Sequence, residues 1–192
     1  VLFEESTQGA ENTNSYTDYT AKPNINLSSG FYNNSIDVTL SCSSPNSDIF
    51  YTLDGSFPTQ NSFYYGSTDI DGSIDSDLTI NISETAVLRT VSFSQNPSYL
   101  PSFCETNSYF INTQHTVDVI SISGDEVDDL INGDYGNRPV GTIEYFDVDG
   151  NLVDEAVGEF NKHGNDSWAY DQRGIDYITR DQYGYNYAIK GD

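Results

Sequence analysis

Residues Ile49–Thr59 read IFYTLDGSFPT. Ile49, Phe50, Tyr51 and Thr52 are β-branched or aromatic, the side chains that suit a pleated, half-buried surface. Asp54-Gly55 then closes a tight turn: glycine accepts a positive φ without strain, and aspartate bonds its own backbone. Pro58 has no N–H to donate, so the chain cannot return directly to a central ladder. A strand that ends in a fixed turn is therefore expected here.

Tyr51-Thr52-x-Asp54-Gly55-Ser56-x-Pro58-Thr59 resembles the signature of a small immunoglobulin-like module, the C-terminal domain type of chitobiases and β-hexosaminidases. The resemblance implies a β-sandwich, with Tyr51, Asp54, Gly55 and Pro58 as signature residues. It also implies a role beside catalytic or adhesive domains of secreted bacterial proteins, without chemistry of its own.

The strand pattern around the signature agrees. Strands are expected at about Asn24–Ser28, Ile36–Ser43, Asp48–Leu53, Phe63–Tyr65, Leu78–Ile82, Ala86–Ser94 and Phe103–Ile111. Turns are expected at Ser29-Gly30, Asn33-Asn34, Pro45-Asn46 and Asn96-Pro97. Short alternating strands with regular turns argue for a sandwich over residues 24–112. Arg89 interrupts the apolar alternation of Val87, Val91 and Phe93, and is expected at a sheet edge with its stem packed and its head out. Ile36, Val38, Leu40 and Cys42 share one parity, and Cys104 shares parity with Phe110. Both cysteines are thus expected inside one sandwich, as a disulfide or as two buried thiols.

Residues 1–23 read as the end of a preceding module and a linker. Thr7-Gln8-Gly9-Ala10-Glu11-Asn12 resembles the closing phrase of lamin-tail-like domains, and Asn12–Pro23 is polar without a period. The chain starts at Val1 and has no Met, as expected of a processed chain or a piece of a longer one.

Residues 113–192 form a further unit. His115–Ser123 is apolar on both parities, the pattern of a strand covered on both faces. Glu126–Ile131 reads as a short helix. Val140–Asp147 and Leu152–His163 read as strands paired across Asp149-Gly150, a hairpin signal. Gln172–Arg180 and Tyr185–Ile189 close the chain. Ser121-Ile122, Arg138-Pro139, Phe146 with Gly150, and Tyr183-Gly184 resemble the opening segment of the CotH kinase family. The resemblance implies an atypical kinase as parent and places Arg173 where the family has a lysine that serves nucleotide phosphate. Arginine keeps the charge but does not replace lysine as a point donor. The family's catalytic acids lie beyond the segment matched, so no catalytic residue is assigned.

Thirty acidic against seven basic residues give a net charge of −23. The acidity is spread evenly, −11 through Val117 and −12 after it. Such a surface repels nucleic-acid phosphates and anionic membranes, and no apolar run is long enough to span a bilayer. Asp69, Asp71, Asp75 and Asp77 crowd one glycine, and Asp147 and Asp149 flank another. Calcium takes oxygen ligands from tight turns of this kind, but solvated hairpin acids give the same pattern, and no cofactor is required. Zinc is not indicated, with no CxxC pair and only His115 and His163. There is no GxxxxGK phosphate loop and no Gly-x-Ser-x-Gly elbow. Tyr64, Tyr65 and Trp168 are candidates for a sugar platform, although such residues are more often core or sandwich-edge packing.

The expected protein is therefore a mainly-β structural or interaction segment; the family resemblances imply a place outside the cell or on the surface of a diderm bacterium and export by the type IX route. Its expected partners are other surface proteins, further domains of the same chain or polysaccharide. The alternatives are the N-terminal part of a CotH-type kinase and a polysaccharide-binding module.

Overall fold

The computed structural model describes residues 2–3, 15–69, 79–170, 173–179 and 181–183. The fold is mainly β. In chain order the strands are β1 (Leu2–Phe3), β2 (Ser15–Tyr16), β3 (Asp18–Tyr19), β4 (Asn24–Ile25), β5 (Gly30–Tyr32), β6 (Ile36–Val38), β7 (Leu40–Ser41), β8 (Ser47–Thr52) and β9 (Phe63–Ser67). They continue with β10 (Ile80–Ile82), β11 (Ala86–Ser94), β12 (Tyr99–Leu100), β13 (Glu105–Ile111) and β14 (Val119–Ser123). One helix, α1 (Val127–Asn132), precedes β15 (Val140–Phe146), β16 (Leu152–Lys162) and β17 (Ile175–Thr179).

The centre is a five-stranded sheet of order β5-β13-β11-β8-β9. The nine-residue β11 runs antiparallel to both β13 and β8. Its inner face carries Ile49, Leu88, Tyr109 and Ile111. These pack with Val38, Leu40, Ile80 and Ile82 from the short pairs β4–β7 and β6–β10. That is a β-sandwich of the immunoglobulin-like kind. Tyr109 is fully buried and donates its hydroxyl proton to the Leu27 carbonyl, 2.8 Å away. Burial also pushes its phenol above the usual range.

Side chains alternate across a strand, so the residues between these point the other way. Thr106, Ser108 and Phe110 on β13 meet Thr142, Ser121, Glu144 and Phe146 of a second sheet, of order β14-β15-β16-β17. The opposite face of that sheet carries Ile122, Ile143, Phe160 and Tyr177, packed with Val127 and Leu130 of α1 and with Trp168. Glycine makes the close strand approach there possible. A Cβ at Gly141 would lie 2.2 Å from the Ser123 carbonyl oxygen, and one at Gly158 2.4 Å from that of Ile178.

The strand expected at Ala86–Ser94 forms with those bounds. The expected helix is present one residue later. Val140–Phe146 pairs with Leu152–Lys162 across a turn where Gly150 has φ +84°. Strands β1, β2, β3, β5 and β12 were not expected, the first three falling where the end of a preceding module and a linker were read, and Tyr185–Ile189 lies outside the described residues. Ile120 departs from the both-faces-covered reading: it is 58% exposed, on the face of Ile122 but beyond the cluster around α1.

Two expectations need correction. Arg89 is not at an edge. It lies on β11, the middle strand, and is 3% exposed. The cysteines are not a disulfide; both are free. Cys42 faces the sandwich core, as its parity requires, and its thiol donates to the Ala21 carbonyl at 3.2 Å. Cys104 does share parity with Phe110, but that parity faces the second sheet. The central sheet therefore stands between the two sulfurs. Titration of thiols in denaturant should return two reactive groups per chain, and a reductant should leave the melting temperature unchanged. A titre of zero would restore the disulfide.

Candidate functional site

The turn at the end of β8 is fully used by the fold. The Asp54 carboxylate accepts from the Ser56 hydroxyl at 2.6 Å and the Ser56 amide at 3.1 Å, and these bonds hold it below the ordinary aspartate range. Thr52 donates its hydroxyl to the Ser56 carbonyl at 2.6 Å. Gly55 has φ +78°, and a Cβ there would sit 3.4 Å from Ser123 Cβ and 3.5 Å from Val87 Cβ. Pro58 is buried. Tyr51 is half-buried against the Phe63 ring. The next backbone group, Phe57 N–H, donates 2.7 Å to Asp125 Oδ1, just before α1. The turn is thereby tied to both sheets.

Residues 27–100 match the family model of the chitobiase/beta-hexosaminidase C-terminal domain. The matched residues include the signature turn, β11 and most of the sandwich. It does not extend into residues 113–192, where the CotH resemblance lies. No curated protein and no solved structure matches the chain.

Beside the chitobiase-type turn, the junction of the two sheets holds an unusual set of charges. Arg89 donates from Nη1 to the Gly55 carbonyl at 3.1 Å, and its guanidinium carbon lies 5.5 Å from the Phe57 ring centroid. Glu144 is 1% exposed. It accepts from the Ser108 amide at 3.1 Å and the Ser108 hydroxyl at 2.5 Å. Burial pushes its carboxyl up, and the serine bonds oppose the shift. Glu155 stands opposite Glu144 across β15–β16. Burial first, then the charges of Glu105 and Glu144, push it up to about 7, while Lys22 pulls the other way. Lys22 itself is ion-paired with Glu105. Cavities of about 250 and 470 Å³ flank this group, and Cys104 lines both.

The other candidate residues have structural duties. Asp147 accepts from the amides of Asp149 (3.0 Å) and Asn151 (2.8 Å) and from the Asn151 side chain, which lowers its pKa and closes the hairpin. The Asp69 carbonyl accepts from the Asn46 amide at 3.3 Å. Asp71, with Asp75 and Asp77, lies outside the described residues. Among the described residues no group of three or more acidic, histidine or cysteine side chains is arranged to hold a metal ion. Arg173 donates to the Ile131 carbonyl at the end of α1, and its guanidinium lies 5.5 Å from the Trp168 ring centroid, so its charge is committed to packing. Trp168 is 7% exposed and donates Nε1–H to the Gly174 carbonyl, which removes it from any sugar platform. Tyr65 is also no platform residue: it is buried in the sandwich core and its hydroxyl accepts from the Leu40 amide, whereas Tyr64 is 53% exposed.

Sequence reasoning misses Glu144, Glu155 and Asp125, because their partners are far along the chain. Arg89 did carry a signal, a lone cation inside an apolar alternation.

The Glu155 shift has a testable sign. Its carboxyl keeps its proton in the folded chain between the ordinary value of 4.5 and about 7, where the unfolded chain releases it. The resulting stabilisation is complete below about 4.5 and lost as pH rises through about 7. Glu155 is desolvated on its junction side but keeps an exposed edge, so after discounting for screening we expect on the order of 1 kcal/mol. That corresponds to a fall of about 2–4 °C in melting temperature from pH 5.5 to 8. Glu155→Gln should flatten the profile, and an equal slope in wild type and variant would refute the assignment.

Proposed function

We propose that this chain is a non-catalytic structural segment of a secreted or cell-surface bacterial multidomain protein. In it, a carbohydrate-associated immunoglobulin-like sandwich is docked firmly onto an adjoining β-sheet. One observation carries the reading: the signature turn is consumed internally. Its carboxylate, carbonyl and amides bond Ser56, Arg89 and Asp125, and its glycine is packed against Ser123. A turn used in this way fixes the angle between neighbouring units and leaves no nucleophile or acid–base pair free. The partners are further domains of the same protein or other surface proteins, outside a diderm cell reached by the type IX route.

A firm dock predicts one cooperative transition. The only tryptophan, Trp168, reports on the second sheet, and the thiol of Cys42 reports on the sandwich core. Tryptophan fluorescence and Cys42 alkylation, followed through urea unfolding, should share a midpoint. Separated midpoints would mean a hinge in place of a dock, and would sink the proposal.

A second reading, polysaccharide binding, is favoured by one surface. Tyr64 forms an edge contact with Phe50, 5.5 Å between centroids, and Phe50 with Phe93 at 5.6 Å. Polar groups border this row: Ser67, bonded to Tyr64 and Asp48, and Gln95, bonded to Asp48. Aromatic faces beside amide and carboxylate groups suit sugar rings. On a glycan array, Tyr64→Ala should reduce binding at least tenfold with the melting temperature unchanged. Undiminished binding would exclude the surface.

A further inference from the structure

Arg89 poses a physical problem. Its side chain is 97% removed from solvent, and burying a charge is costly unless it is paired. Thirty carboxylates are available in the chain, yet none among the described residues pairs with it. Its Nε has no hydrogen-bond partner among them. Its partners are one carbonyl, at Gly55, the face of Phe57 and the neighbouring Cys104 thiol, none of them an anion at neutral pH. A carbonyl and a ring face neutralise a guanidinium far less than a carboxylate does.

An anion from outside the chain has a place to go. Arg89 lines the cavity of about 470 Å³ between the signature turn and the second sheet. A second guanidinium, Arg138, lines the same cavity, so two of the seven basic residues in the chain meet there. Phe57, Val140 and Val157 supply apolar wall, and the Ser102 and Cys104 side chains supply polar points. Asp125 and Glu126 also border it, but the Asp125 carboxylate is engaged by the Phe57 amide. Predominantly apolar pockets of this size with a few convergent polar groups suit one small ligand. The two guanidiniums in its wall specify its charge, because their planar forks match carboxylate geometry.

We propose that this cavity is a binding site for a small carboxylate-bearing ligand. The carboxylate sits between Arg89 and Arg138, and the ligand body lies against Phe57 and Val157. The carbohydrate-associated reading above adds an identity, a uronate residue of an acidic saccharide, and only that identity rests on it. The net charge of −23 opposes long-range attraction of any anion. At about 0.15 M salt this repulsion is screened beyond roughly 8 Å, so recognition is a short-range property of the two guanidiniums.

Cys104 in the cavity wall supplies a reporter. Its alkylation by iodoacetamide, quantified by peptide mass spectrometry, is followed with added galacturonate, galactose or cyclohexanecarboxylate, and calorimetry measures affinity. Both carboxylates should slow Cys104 labelling at least threefold, and galactose should not. Arg89 variants risk misfolding; Arg138 is exposed, so Arg138→Gln should fold normally and weaken carboxylate binding at least fivefold. Tyr64→Ala should leave the protection intact, which separates this site from the aromatic surface. Protection by cyclohexanecarboxylate without galacturonate would support the site and reject the saccharide. Absence of protection by either carboxylate, or equal affinity in Arg138→Gln, would overturn the proposal.

Discussion

Glu144 occupies the position on which the arrangement of layers depends. Its carboxylate lies between two sheets, out of water, with two hydrogen bonds from Ser108 on the facing strand. A buried carboxyl without such donors is strongly unfavourable. The donors exist in one register only, with Thr106 opposite Thr142 and Ser108 beside Ser121. A slip of one residue would put Ser108 on the other face of its strand and leave the carboxyl unpaired. Apolar packing between the sheets tolerates small slides; this polar contact does not. Phe110, stacked on Phe31 and meeting the edge of Phe146, adds apolar area at one end of the same interface.

The central sheet therefore serves two masters. One face holds the apolar sandwich core around Leu88 and Tyr109. The other carries threonine, serine, arginine and cysteine toward the second sheet. A polar second face is what an exposed immunoglobulin-like sheet would carry, and here it becomes an interface. That face determines both the firm dock and the cavity beside it. The signature turn sits at its edge, so residues that look like a loop motif act as a clamp.

The charge distribution follows the same logic. Most carboxylates of the described residues lie on the outside, Glu144 being the buried exception. Among the described residues, several of the few cations have specific neighbours. Lys22 pairs with Glu105 near Glu155, Arg173 lies over Trp168, and Arg89 and Arg138 line the junction cavity. Among the described residues no carboxylate pairs with the buried Arg89, and this sets the junction apart from the rest of an acidic molecule.

The fold class and most strands were legible in the sequence, because alternation and turn chemistry are local. Ile49–Thr52 followed by Asp54-Gly55 reads as a strand and turn from residue type alone, and residues 86–94 alternate clearly enough to bound β11. Short strands such as Gly30–Tyr32 and Tyr99–Leu100 escaped, since they are held by partners distant in the chain and not by their own composition. Parity placed Cys42 and Cys104 correctly within their strands, but parity does not say which face meets which layer. The sequence by itself determined the sandwich, the signature turn and the acidic surface, all consequences of short-range pattern and composition. Only the tertiary structure decided that Arg89 is central and buried, that Glu144 meets Ser108, and that Cys104 faces a second sheet. Those facts depend on one sheet stacking on another, and no local periodicity encodes that contact.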